Sequence, residues 1–185
     1  MRVLILSCNT GEGHNAAGHA MAEKIQKKGG EAVFLDVMSL AGERTSRMVG
    51  GGYVKLAKDF PNVFGLLYRA GLAVSSRKRK SPVYYANALM AKRLREYLEQ
   101  EKFDAILTPH LYPAETLTYL KSKGVSVPPV IAIGTDYTCI PFWEETQCDY
   151  YVIPHQDLTE EYVRRGVPRE KIKPFGIPAV SYTHL

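Results

Sequence analysis

The feature that most constrains the fold is an alternation of short apolar runs with amphipathic helical segments. Apolar runs at 3–6 and 32–35 flank residues 14–28, in which Ala17, Met21 and Ile25 recur four apart on one helical face. A strand, a helix and a second strand in this order normally form a right-handed parallel unit. The alternation resumes with strands predicted at 105–107, 130–133, 150–153 and 171–175, and helices at 113–123 and 157–165. Asp157 is the predicted N-cap of the last helix, which Gly166 should end, as Gly29 and Gly30 should end the first. The pattern predicts an α/β protein with a doubly wound, mostly parallel sheet.

The alternation is interrupted between residues 39 and 100, where two or three helical stretches replace the strands. Residues 84–99 have an apolar face that includes Leu89, Met90 and Leu94. The earlier part, 50–72, is rich in aromatic residues, and a basic run follows it at 77–80. We therefore expect a mostly helical insertion at about 40–100 within one domain that spans 1–179.

Charge and cysteine content limit the class of protein. The net charge of +5, from 24 basic and 19 acidic residues, permits an anionic partner without requiring one. Three cysteines without a C-x-x-C spacing favour neither a disulfide framework nor structural zinc. No apolar run approaches the length of a membrane span, and the chain enters a strand almost at once, so we expect a cytoplasmic protein.

Polar residues follow several of the predicted strands. In a doubly wound sheet, ligands bind beyond the carboxyl ends of the strands. The residues at those ends are 7–14, Pro109 and His110, Gly134 to Asp136, and Pro154 and His155. The sequence therefore predicts a site at this edge of the sheet.

The loop before the first helix contains Gly11 and Gly13, followed by His14. The two glycines let the backbone approach a ligand closely, and the helix N-terminus offers N–H groups to an anion. The helix dipole favours neutral His14, which could then act as a base. The alternative interpretation is a tight turn with His14 as a solvated cap.

The same loop also fits a dinucleotide fingerprint. Gly11, Gly13 and Ala16 match G-x-G-x-x-A, and Asp36 ends the second strand. This pattern would indicate an NAD-dependent oxidoreductase. Against it, four residues separate the strand from Gly11, and Asp36 is equally well explained as a strand-end cap.

Two other strand ends carry candidate site residues. Thr135 and Asp136 favour either an Asx turn or a carboxylate that orients a histidine or a substrate hydroxyl. His110 is interpreted as a hydrogen-bonding loop residue rather than a metal ligand, because the chain has no pair of ligands at i,i+4 spacing. We predict no metal site.

The aromatic segment and the basic run together suggest contact with a membrane surface. Apolar side chains enter the headgroup boundary, and basic side chains attract anionic lipid. The candidate contact residues are Phe60, Phe64, Leu67, Arg77, Lys78, Arg79 and Lys80. The alternative is that the aromatic residues are core and the basic run is a solvated loop. Nucleic-acid binding is disfavoured, because basic and aromatic residues are not interleaved.

Three segments of the chain are distinctive in their combination and order. Residues 6–17 read LSCNTGEGHNAA, Thr135, Asp136 and Tyr137 precede Phe142 and Trp143, and residues 171–178 read KIKPFGIP. Together they resemble the N-terminal domain of the diacylglycerol glycosyltransferases. That family includes plant monogalactosyldiacylglycerol synthase and the bacterial processive diacylglycerol glucosyltransferase, and it is related to the lipid-linked glucosaminyltransferase of peptidoglycan synthesis. The resemblance covers about residues 1–179.

The resemblance implies two Rossmann-like domains of the GT-B type that face a cleft. The first would bind the lipid acceptor at the inner face of the cell membrane, as a peripheral protein, and the second would bind the UDP-sugar. The implied partners are anionic membrane lipid and diacylglycerol, with no cofactor bound by this domain. The oligomeric state is left open.

The resemblance also assigns roles to residues of this chain. His14 matches the histidine after the glycine pair, a base or a contact for anionic lipid, and Gly11 and Gly13 match the acceptor-side loop. Thr135 and Asp136 match a threonine–aspartate pair after the fourth strand, and we expect His110 to join the same acceptor site. The membrane-docking segment of the family would lie within about 49–80.

The end of the chain departs from the family pattern. The family continues with a second domain of similar size, whereas this sequence ends with a tail at 180–185 that does not resemble the family linker. We expect the tail to be truncated or artefactual and the UDP-sugar domain to be missing. On that expectation the chain alone is catalytically silent, and an alternative is a membrane-binding module without catalysis.

Overall fold

The structure is a computed structural model that describes residues 1–8, 12–41, 75–76 and 79–179. Several predicted site residues lie outside these ranges, namely Gly11, Phe60, Phe64, Leu67, Arg77 and Lys78. The strands are β1 (Arg2–Ser7), β2 (Glu31–Asp36), β3 (Ala105–Thr108), β4 (Val130–Ile133), β5 (Tyr150–Val152) and β6 (Ile172–Lys173). The α-helices are α1 (Glu12–Lys27), α2 (Pro82–Asn87), α3 (Ala91–Gln100), α4 (Leu111–Ser122) and α5 (Thr159–Arg164).

Within the described ranges, the six strands form one parallel sheet in the order β2-β1-β3-β4-β5-β6. Ile5 of β1 lies between Phe34 of β2 and Leu107 of β3 in the strand register. The predicted α/β class and the parallel sheet are confirmed. The apolar runs form buried strands because they can bury side chains on both faces of the sheet.

The strand order reverses next to β1, and this reversal positions the site. Ile5 packs with Met21 of α1 on one face of the sheet, whereas Leu4 packs in the same cluster as Leu94 and Leu117 of α3 and α4 on the other. The chain therefore leaves β1 and β3 toward opposite faces. A crevice opens between their carboxyl ends, which is where ligands bind in open α/β sheets.

The helix ends were largely predictable, with one correction. Gly29 and Gly166 follow α1 and α5 with φ of 75° and 103°, which is the left-handed backbone expected at a helix stop. Asp157 was predicted to cap the last helix, and that prediction is wrong. The ring of His155 accepts the Asp157 N–H at 3.3 Å, and a 3₁₀ turn, Gln156–Leu158, precedes α5.

Two predicted elements are shorter or more broken than expected. The helix predicted at 84–99 is divided into α2, a 3₁₀ turn (Ala88–Met90) and α3. The last strand, predicted at 171–175, covers only Ile172–Lys173, because Pro174 has no N–H to continue the ladder. None of the helices in the described ranges is long and apolar enough to cross a membrane.

Buried carboxyl groups bind the segment that leads into α2, and α2 itself, to the rest of the described structure. The backbone N–H and the hydroxyl of Ser81 donate to the carboxylate of Glu145 at 2.9 and 3.1 Å. The side-chain amide of Asn87 donates to Glu115 of α4, and Ser75 donates to Glu144 at 2.8 Å. The Asn87 contact holds α2 against α4, and the serine contacts hold the segment before α2 against the 3₁₀ turn Trp143–Glu145.

Candidate functional site

His14 lies at the crevice, in the first turn of α1. This half-buried side chain reaches the loop after β4, where its Nδ1 is 2.8 Å from the hydroxyl oxygen of Thr135. The two residues are 121 positions apart in sequence, so only the parallel sheet brings them together. The structure therefore brings His14 and Thr135 together at one edge of the sheet, where the sequence placed both.

His110 approaches the same point from β3. It is the residue before α4, and its Nδ1 accepts the backbone N–H of Tyr112 at 3.1 Å. Its own backbone carbonyl accepts the hydroxyl of Thr108 at 2.9 Å, which fixes the turn. Burial, together with the neighbouring His14, lowers the pKa of His110 to about 3. His110 is therefore neutral, with the ring proton on Nε2.

The two imidazoles meet edge to face across the crevice. Their ring centroids are 4.7 Å apart and the ring planes are inclined at 72°. His14 lies at the positive, N-terminal end of the α1 dipole. The carboxylate of Glu12, in the same turn, partly offsets the positive potential of the helix N-terminus and so weakens the attraction of this terminus for an anion. The arrangement presents two adjacent imidazoles suited to proton transfer or to hydrogen bonding with a hydroxyl-bearing ligand.

The orienting group on His14 differs from the one that the sequence suggested. A carboxylate was one interpretation of Asp136, yet the group at His14 Nδ1 is the Thr135 hydroxyl. Asp136 is the next residue and is half-buried. A hydroxyl can hold an imidazole in place without adding a negative charge beside it.

Close packing beneath the loop after β4 sets the direction of Thr135. Gly134 is buried, and its N–H donates to the carbonyl of Val152 at 2.8 Å. A Cβ at this position would lie 2.6 Å from the hydroxyl oxygen of Tyr162 on α5. That hydroxyl is buried, and it has no hydrogen-bond partner in the part of the chain that the structure describes. Any other residue at position 134 would have to displace the buried Tyr162 side chain.

Replacing Gly134 with alanine is expected to destabilise the protein by about 1–3 kcal/mol, the usual cost of overpacking a buried site. Tyr162→Phe alone should change stability by less than about 1 kcal/mol, because it removes a hydroxyl without a partner. In the double variant, Gly134→Ala should destabilise the protein by less than it does alone, because the Tyr162 hydroxyl that the alanine Cβ would contact is absent. Urea unfolding of the four proteins measures this coupling, and strict additivity would contradict the packing argument.

The remaining predicted residues are distributed as follows. Gly13 lies in the first turn of α1 and is exposed, and Arg79 is exposed as well. Lys80 is half-buried, and its ammonium contacts the carbonyl of Glu145 and lies 5.2 Å from the ring centroid of Tyr84. The Lys80 ammonium is thus engaged within the protein. Within the described ranges, no group of three or more His, Cys, Asp or Glu side chains could hold a metal ion.

One residue that shapes this region was not anticipated from the sequence. Thr108, the buried last residue of β3, fixes the turn that carries His110. The signal was present, since a polar residue ends an otherwise apolar strand. Asp36, a candidate ribose ligand in the NAD interpretation, accepts the N–H of Met38 at 2.9 Å. That contact is the strand-end cap considered as the alternative.

Comparison with known proteins gives consistent matches along the chain. A sequence model of the family described as monogalactosyldiacylglycerol (MGDG) synthase matches residues 14–179. Processive diacylglycerol beta-glucosyltransferases of Bacillus cereus (strain B4264) and Bacillus mycoides (strain KBAB4) are each 29% identical over 188 residues, which cover 100% of this chain and 46% of each relative. The chain therefore spans about half the length of the curated relatives it matches.

Among solved structures, MurG of Acinetobacter baumannii is similar over a region that covers 83% of this chain and 41% of the MurG chain. The TM-score is 0.47 and the sequence identity is 13%.

Proposed function

Because this chain belongs to the monogalactosyldiacylglycerol synthase family, we propose that it is the acceptor-binding half of a UDP-sugar-dependent diacylglycerol glycosyltransferase. The observation that supports this most is the meeting of His14, Thr135 and His110 at the crevice beside β1. Neutral imidazoles in a ligand-binding crevice are suited to accept a proton from an alcohol. Diacylglycerol presents one free hydroxyl, which would attack the sugar.

The proposed reaction is a single displacement at the sugar. The diacylglycerol oxygen forms a bond to C1 of the sugar, the bond from C1 to the UDP oxygen breaks, and UDP leaves with the electron pair. The acceptor proton passes to His14. The UDP-sugar would be held by a second domain, so this chain alone would bind acceptor without turnover.

Contact with the membrane is proposed for the region around the basic run at 77–80. Arg79 is exposed, and on the neighbouring helical segment Tyr85 and Leu89 are 60% and 75% exposed. Exposed apolar groups beside basic ones are suited to the headgroup boundary, where each basic residue near an anionic surface adds about 1 kcal/mol. We propose that the protein acts as a peripheral membrane protein through this face.

Flotation with liposomes tests the acceptor-side proposal. The chain should float with vesicles that contain anionic lipid, float less at high salt, and float more when diacylglycerol is added. Leu89→Ser should weaken the binding, whereas Tyr150→Ser, at a 47% exposed aromatic residue on β5, should leave it unchanged. Absence of flotation under every condition would contradict the proposal. Turnover of UDP-glucose by this chain alone would contradict the need for a second domain.

A further inference from the structure

A hydrogen bond between Thr135 and His14 connects the loop after β4 to α1 at the crevice. We infer that Thr135 is a positioning residue, which accepts the Nδ1–H of His14 and thereby keeps the lone pair of His14 on Nε2. The inference rests on the proposed function, since it assigns a task to one residue of that same site.

A neutral imidazole carries one N–H and one lone pair, so the partner of one ring nitrogen determines what the other can do. If the Thr135 hydroxyl donated to Nδ1, the ring proton would be on Nε2, and the opposite edge of the ring could not take a proton. If Thr135 accepts from Nδ1–H, Nε2 is free to act as a base. Only the second arrangement is compatible with proton removal from an acceptor hydroxyl.

The group that holds His14 Nδ1 is a neutral hydroxyl. His14 occupies the N-terminal turn of α1 and lies edge to face with His110 at 4.7 Å. His110 is itself neutral, because its Nδ1 already accepts the Tyr112 N–H and desolvation lowers its pKa. The charged groups near this pair in sequence are Glu12, in the same turn, and Asp136, beside Thr135. A hydroxyl at Nδ1 orients the ring without holding it in the protonated state.

Thr135 has the rigidity that a positioning residue needs. Gly134 is anchored to Val152 by a backbone hydrogen bond of 2.8 Å and packs directly on Tyr162. A side chain whose backbone is packed in this way can hold a partner within a fraction of an ångström. In the reaction, the proton of the acceptor hydroxyl would pass to Nε2, the oxygen would bond to C1, and UDP would leave. The Nδ1 proton would remain in its bond to Thr135 throughout.

The tautomer can be measured directly on this chain. With ¹⁵N-labelled histidine, long-range proton–nitrogen NMR distinguishes protonated from unprotonated ring nitrogens, and His14→Gln identifies the signals of His14. At neutral pH we expect a protonated Nδ1 and an unprotonated Nε2 on His14. A proton on Nε2 in the wild-type chain would overturn the inference, whatever the variants do.

Two variants separate the hydroxyl from the shape of the side chain. Thr135→Val preserves the shape and removes the hydroxyl, and it should shift His14 toward the tautomer with the proton on Nε2. Thr135→Ser keeps the hydroxyl and should retain the wild-type tautomer. An unchanged tautomer in the valine variant would contradict the role of Thr135. If the valine variant does not fold, the wild-type and serine spectra still decide.

Activity separates this inference from the proposed function. In the full-length Bacillus cereus relative, valine at the residue aligned with Thr135 should lower kcat about tenfold to a hundredfold, the scale of a misoriented catalytic group, with little change in KM. Serine at the same position should keep most of the wild-type kcat. If loss of the aligned histidine abolishes turnover but valine does not, the proposed function stands and the inference fails. If the tautomer behaves as expected but loss of the histidine leaves turnover intact, the proposed base fails.

Discussion

Replacing His14 with alanine is expected to lower diacylglycerol glycosylation by about a hundredfold or more, the usual scale for loss of a general base. The reason is that the acceptor hydroxyl would then have to lose its proton to water during its attack on the sugar. The assay follows glucose transfer from UDP-glucose by a fusion of residues 1–179 with the second half of the Bacillus cereus relative. The same substitution at the aligned histidine of the intact relative provides an independent measurement.

The matched control is His19→Ala on the same helix. His19 is exposed and stacks on Phe34, with ring centroids 4.4 Å apart, away from the crevice. Its removal should leave turnover within about twofold of the wild-type fusion, because a surface substitution away from the site rarely changes stability by more than about 0.5 kcal/mol. If His14→Ala also remained within a few-fold of wild type, His14 would not be the base.

Glu115→Gln is expected to remove a large part of the pH dependence of stability above neutral pH. Glu115 is fully buried in α4, and one of its carboxyl oxygens has no hydrogen-bond partner within the described residues. Burial raises the pKa of this carboxyl to about 8, and the charges of Glu145 and Glu144 add to that effect, against the opposing hydrogen bond from Asn87. At neutral pH the native protein therefore carries a proton that the unfolded chain has lost.

The sign follows from proton linkage. Between the ordinary pKa of about 4.3 and the native value near 8, the folded state binds more protons, so stability falls as the pH rises. For a native pKa of about 8, the free energy of unfolding should drop by about 1 kcal/mol from pH 7 to 8.5. Glutamine cannot ionise, so the variant should lack this decline and should be relatively more stable at the alkaline end.

The pH window separates Glu115 from the buried histidine and the buried thiols. Burial also raises the pKa of Glu145, which is present in both wild type and Glu115→Gln. The lowered pKa of His110 affects stability only below about pH 6.5, where an unfolded histidine takes up a proton. Burial raises the pKa of Cys139 to about 12 and that of Cys148 to about 11, so these thiols affect the free energy of unfolding only as the thiols of the unfolded chain ionise, above about pH 8.5.

Urea unfolding followed by Trp143 fluorescence gives the free energies of unfolding. Glu96→Gln, on the exposed side of α3, is the control, and an equal slope in Glu115→Gln and wild type would contradict the expectation.

Ionisation of Glu115 should have a local consequence, because this carboxyl lies where α2 is fastened to α4. Thr116 donates to the carbonyl of Asn87 at 2.6 Å, and the Asn87 amide donates to Glu115. An added charge beside Glu145 would repel the carboxylate that holds Ser81. Hydrogen exchange at α2 should therefore accelerate with pH more in wild type than in Glu115→Gln, after correction for the intrinsic exchange rate.

Much of the architecture was predictable from local patterns. The strand at Val130–Ile133 has the predicted bounds, and Gly29 and Gly166 end their helices as expected. These features depend on hydrophobic periodicity and on the backbone freedom of glycine, and both are local properties of the chain. The edge of the sheet that carries His14, His110 and Thr135 also followed from the strand order, because parallel strands share one carboxyl end.

Other features depended on distances that no local pattern contains. The ring of His155, and not the side chain of Asp157, caps the turn before α5, and this depends on the conformation of that one turn. No local pattern signalled the burial of Glu115, because α4 also carries other polar residues. The rise in the pKa of Glu115 comes mainly from desolvation by burial, which only the tertiary structure sets.

By itself, the sequence determined the class of fold, the order of its elements and the edge of the sheet where polar side chains collect. It could do so because periodicity and turn chemistry act over a few residues. The tertiary structure alone decided that a hydroxyl, and not a carboxylate, meets His14, at 2.8 Å from a residue 121 positions away. That choice depends on how closely Gly134 lets the loop pack on Tyr162, and packing at this scale is set by the whole core rather than by any segment.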